Sequence, residues 1–116
     1  MTTPNHAFAM LVHTTPAWLR MPPPQRFAFV DESIRPLVAR HPAVRMRFFD
    51  AEAFSARYTD MVLWETADVL AYQALVEELR ETPFWDTYFE VVEIVPMIEN
   101  AFAHHYGVPA LPSRST

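Results

Sequence analysis

Residues 44–65 read VRMRFFDAEAFSARYTDMVLWE, and this stretch decides the fold. Val44 to Asp50 is apolar and alternating, which predicts a strand. Ala51 to Ala56 is polar and alanine-rich, and Arg57 to Glu65 reads as a second strand. Two strands so close in sequence predict an antiparallel hairpin. Pairing Asp50 with Arg57 sets Arg47 opposite Asp60, so one register satisfies two charge pairs. Its parity puts Val44, Met46, Phe48, Met61 and Leu63 on an apolar face toward the helices. The opposite face then carries Arg45, Arg47, Phe49, Tyr58, Asp60, Val62 and Trp64.

Upstream, Ala7 to Val12 is a continuous apolar run of strand length. Thr14 to Leu19 reads as a turn or short helix, and Pro22-Pro23-Pro24 suits the entry to a helix. Phe27, Val30, Ile34, Leu37 and Val38 follow at helical spacing, with Pro36 predicted to kink the helix. Downstream, Thr66 or Asp68 can cap a helix carrying Val69, Tyr72, Leu75, Val76 and Leu79 on one face. Thr82-Pro83 predicts a short helix over Phe84 to Tyr88. Glu90 to Val95 reads as the fourth strand, with Glu93 and Val95 on the face of Arg47. A last helix from Met97 should stop at Gly107.

The order is strand, helix, strand, strand, helix, strand, tail helix. That predicts an α+β, ferredoxin-like fold with a four-stranded antiparallel sheet and helices on one face. Residues 1–107 would be one domain and residues 108–116 a loose tail. The uncovered sheet face predicts a homodimer through Phe49, Val62, Trp64, Val91 and Val95.

Composition removes several chemistries. The 116 residues include no cysteine, which excludes thiol nucleophiles, disulfides and Cys-based metal sites in this chain. All nine basic residues are arginines, so no lysine amine can form a Schiff base. Gly107 is the only glycine, and glycine-rich phosphate loops and nucleophile elbows are therefore missing. The net charge is −5 with the arginines dispersed, so no nucleic-acid-binding surface is legible. The absence of a signal-peptide pattern and of a membrane-length apolar run gives the expectation of a cytoplasmic protein off the membrane.

Several segments resemble the darcynin family. They are Arg47-Phe48-Phe49-Asp50, Phe54-Ser55-Ala56-Arg57, Trp64-Glu65-Thr66-Ala67-Asp68, Leu79-Arg80-Glu81-Thr82-Pro83-Phe84-Trp85-Asp86, Tyr88 to Pro96, and Glu99-Asn100-Ala101-Phe102. The resemblance implies small bacterial proteins similar in outline to dimeric α+β barrel proteins. That wider group contains cofactor-free monooxygenases, cyclases, haem-degrading enzymes and non-catalytic binders. The family brings no catalytic residues to carry over.

The candidate site is the polar cluster on the second sheet face. Arg47 could hold a carboxylate or enolate, and Asp60 or Glu93 could move a proton. Tyr58, Trp64 and Phe49 would shape an aromatic pocket, with His13 at its mouth. The plain alternative is a structural Arg47–Asp60 ion pair inside a dimer core. His41 reads as a helix C-terminal residue. His104 and His105 are adjacent and lack the i, i+4 spacing of a shared metal, so no metal is expected. No cofactor is expected either, since only His13 stands where a haem ligand would. Three functions remain open: a cofactor-independent enzyme acting on an aromatic or polyketide-like small molecule, a non-catalytic binder, and a dimeric interaction module. An enzyme is favoured because polar pairs are set in an apolar interior.

Overall fold

In the computed structural model, which describes residues 5–112, ten elements follow in order. They are β1 (His6–Thr14), α1 (Pro16–Arg20), α2 (Pro23–Phe29), a π-helical segment (Val30–Ile34) and α3 (Arg35–Ala39). β2 (Arg45–Asp50), β3 (Asp60–Thr66), α4 (Val69–Leu79), β4 (Phe89–Ile98) and α5 (Ala101–Tyr106) complete the chain. The strands form one antiparallel sheet in the order β2-β3-β1-β4, the ferredoxin-like order the sequence predicts. Residues 113–116 of the expected tail lie outside the described residues. Within the tail's described part, the Asn100 amide donates to the Leu111 carbonyl (2.9 Å) and accepts from its N–H (2.8 Å).

One sheet face packs against the helices. Met10, Val12, Val62 and Trp64 from the two central strands meet Leu37, Leu75 and Leu79, all essentially without solvent exposure. The Phe8 ring stacks flat on Tyr72, with centroids 3.7 Å apart. Asp68 caps α4, its carboxylate accepting from the Leu70 and Ala71 N–H groups. The end of α3 is tied to α4 through Glu78, which meets Arg40 Nη2 and His41 Nε2, each at 2.6 Å. The His41 hydrogen bond, followed by that of Arg40, holds the Glu78 carboxyl below its ordinary range.

Three local expectations change. The disruption expected at Pro36 takes the form of a π turn just before it, where the Arg35 N–H reaches back five residues to Val30. Phe84 to Tyr88 is a turn rather than a helix, with Asp86 at φ 69° and Phe84 stacked on Phe89 at 4.7 Å. β4 runs on through Pro96 to Ile98. It is an edge strand, so a residue without an N–H does not interrupt a ladder on its free side.

Candidate functional site

The hairpin register differs from the charge-pairing expectation. Asp50 lies opposite Asp60, Phe48 opposite Val62, and Met46 opposite Trp64. Arg47 lies opposite Leu63, three residues from the expected partner. A slip by an odd number reverses the facing of a whole strand. Asp60, Val62, Trp64 and Thr66 therefore point at the helices and are buried, while Met61 and Leu63 lie on the open face. The expected Arg47–Asp60 pair does not exist. Arg47 instead reaches Glu65 (Nη1–Oε1, 3.8 Å), and its guanidinium lies over Phe49. β2 keeps the parity expected of it, with Arg47 and Phe49 on the open face.

β4 contains a correction of its own. A bulge in its pairing with β1, between Leu11 and Val12, leaves Val91 opposite Val12 and Ile94 opposite Met10. Val91 and Ile94 both pack on the core. Strict alternation would have put them on opposite faces. Glu93 stays on the open face, where it accepts a hydrogen bond from the Tyr58 hydroxyl (3.0 Å) and lies 3.8 Å from Arg57. Burial, then the Glu93 hydrogen bond, raises the Tyr58 pKa. His13 faces the same way, opposite Glu90, with Nδ1 2.9 Å from the Thr14 carbonyl oxygen. The sequence-predicted residues thus divide. Tyr58, Glu93, Arg47, Phe49 and His13 share the open face, and Asp60 and Trp64 lie behind the sheet.

Behind the sheet lies a cleft of about 990 Å³, bounded by β2, the start of β3 and the α2–π–α3 arm. Trp18, Phe29, Phe84 and Phe89 line one part of it, and Val30, Ile34, Val38 and Val44 line another. Asp50, Glu52 and Asp60 form its acidic pole. Asp60 is only 4% exposed. Its Oδ2 accepts from the Thr59 hydroxyl at 2.8 Å. Burial pushes its pKa up to about 6, the Thr59 hydrogen bond pulls it down, and the facing Asp50 carboxyl and Glu52 add to the rise.

Trp64 is 1% exposed and its indole N–H has no hydrogen-bond partner. It is core rather than cleft wall. No histidine lines the cleft, so these residues do not fit a histidine-held haem. Among the described residues, no three histidine, aspartate or glutamate side chains are placed to hold a metal. None of the described helices is long and apolar enough to cross a membrane. Asp50 is the site residue the sequence hid. It was visible only as one half of a charge pair that does not form.

Comparison with known structures shows the same fold. A chlorite dismutase of Candidatus Nitrospira defluvii, solved in complex with imidazole, superposes with a TM-score of 0.72 at 12% identity. That match covers 90% of this chain and 44% of the other. A second protein, provisionally described as a chlorite dismutase, gives 0.72 at 18% identity over 94% of this chain and 52% of its own. The chain thus spans about half the length of these solved proteins. Among curated relatives, a darcynin homolog of Granulibacter bethesdensis is 52% identical over 103 residues, 88% of this chain and 83% of that protein. A darcynin homolog of Streptomyces avermitilis is 45% identical over 116 residues, 99% of this chain and 96% of its own. The family model described as "Darcynin, domain of unknown function" matches residues 1–116, and the chain belongs to the darcynin family.

Proposed function

We propose that the protein binds a small organic molecule in the cleft behind its sheet and uses Asp60 to move a proton on it. The observation that carries this is a buried carboxyl with a pKa near 6 at the end of a largely apolar cleft of about 990 Å³. A carboxyl that titrates near neutrality can serve as base or acid without a cofactor. Asp50, directly opposite, stabilises the protonated form of Asp60 by repelling its charge. The aromatic wall suits an aromatic or polyketide-like metabolite. This reading keeps the cofactor-independent tailoring enzyme of the sequence analysis and moves its site from the open face to the cleft.

The test uses a neutral aromatic probe, N-phenyl-1-naphthylamine. Its fluorescence should rise and shift to the blue on mixing with the protein. Val30→Trp or Ala39→Trp, which fill the cleft, should abolish the response while circular dichroism stays native. An undiminished response in both folded variants would remove the cleft from consideration.

The open sheet face carries Ala7, Ala9, Leu11, Met61 and Leu63 at its centre, with Arg47, Glu65 and Glu93 around them. An apolar centre within a charged ring suits a second copy of the same chain. Light scattering should give twice the 13.4 kDa chain mass. Leu63→Arg should halve that mass. A wild-type mass of one chain at micromolar concentration would rule the dimer out. Val62, Trp64 and Val91, part of the dimer face in the sequence analysis, lie on the other side and take no part.

A further inference from the structure

We infer that the cleft selects an organic amine, with its ammonium group against Asp50 and Asp60 and its apolar body along Trp18, Phe29 and Phe89. The inference rests on the small-molecule reading of the cleft and narrows it to one ligand class. The cleft's charges are unevenly matched. Three arginines line it, and each already has a partner. Arg26 donates to the Trp18 and Leu19 carbonyls, both at 3.1 Å. Arg35 pairs with Asp31 at 2.8 Å, and Arg45 with Glu65 at 3.5 Å. Among the described residues, no cation lies within ion-pair distance of Asp50, Glu52 or Asp60.

Asp60 is therefore a nearly inaccessible carboxyl without a counter-charge, in the wall of a space large enough for a ligand. Burying a charge without a partner is costly, so a ligand that brings a cation is favoured over one that brings an anion. The three carboxylates are not placed to hold a metal ion. The apolar and aromatic walls beyond them suit a hydrocarbon body, and aromatic faces attract organic cations. An alcohol could hydrogen-bond the same carboxyls without neutralising them. A carboxylic acid would be repelled.

Three probes with one indole body separate these cases: tryptamine, tryptophol and indole-3-acetate, titrated calorimetrically at pH 7.5. Tryptamine should bind at least about tenfold more tightly than tryptophol, and indole-3-acetate should give no heat. In the double variant Asp50→Asn/Asp60→Asn, tryptamine should fall to the tryptophol level while tryptophol is unchanged. Glu77→Gln, which removes one surface charge on α4, should leave the preference intact. If tryptophol matches or exceeds tryptamine in the wild type, or if the preference survives in the double variant, the amine inference fails and the cleft reading stands. If none of the three binds, both fail.

Discussion

Asp60→Asn should make the protein more stable at pH 8 and should flatten its stability between pH 4 and pH 6. Asp60 has a folded-state pKa of about 6 against an ordinary value of 3.8. A raised carboxyl pKa means that the folded chain holds the proton more tightly than the unfolded chain. The contribution is therefore fully present below about pH 4, declines as pH rises to about 6, and is absent above that. Over this window the wild type should lose about 3 kcal/mol at most, since each pKa unit corresponds to about 1.4 kcal/mol. Asparagine keeps an oxygen to accept from Thr59 and carries no charge beside Asp50. The variant should gain about 1–3 kcal/mol at pH 8 in urea unfolding and show no drop between pH 4 and pH 6. Equal stability of the two proteins at pH 8 would mean that Asp60 carries no burial penalty. A residue that destabilises the fold at neutral pH is better explained by binding or chemistry than by packing.

Trp64→Ala should cost about 3–5 kcal/mol, the largest loss expected from any single truncation in the chain. Trp64 lies on a central strand, is 1% exposed, and is flanked across the ladders by Phe8 and Met46. Its removal leaves a void that close-packed neighbours fill only in part. For a domain with about 5–15 kcal/mol in hand, that is a large share of the total. Trp64→Phe should cost far less. It keeps most of the volume and removes an indole N–H that is buried without a partner, so part of the lost packing is offset. Chemical denaturation of the three proteins measures both differences. A Phe variant as unstable as the Ala variant would show that the indole ring itself is indispensable to the core.

Element type and topology were legible because they depend on local periodicity and on chain order. The apolar run of β1, the Asp68 cap and the Gly107 stop each report on their own neighbourhood. Gly107 ends α5 at φ 66°, where other residues are strained. The facing of β3 was not legible. Met61 and Leu63 are as apolar as Val62 and Trp64, so alternation does not tell the two faces apart. The nine residues from Ala51 to Thr59 hold no glycine or proline to fix the turn, so their length leaves the register open. Charge pairing filled that gap and gave the wrong answer. Surface ion pairs are weak beside the burial of a tryptophan, and the side chain with the most apolar area decided the facing. The site followed the register. Once β3 turned over, Asp60 left Arg47 and met Asp50.

The π turn at Val30–Ile34 has an evolutionary consequence. It places one more residue in a helical turn than an α-helix holds, and Val30 and Ile34 from that turn stand in the cleft wall together with Arg35 and Val38 beyond it. Loss of a single codon within the turn would restore an ordinary helix and leave the facing of the residues C-terminal to it nearly unchanged, because the widened turn absorbs its extra residue instead of passing a rotation on. Val38 and Ala39 would still face the cleft, and the change would fall on the wall formed by the turn itself. Such a deletion would thus reshape the cleft beside Val30 and Ile34 while leaving the sheet and the rest of the arm untouched. Among relatives, the chain can therefore gain or lose a residue at this point and adjust the cleft locally without disturbing the fold around it.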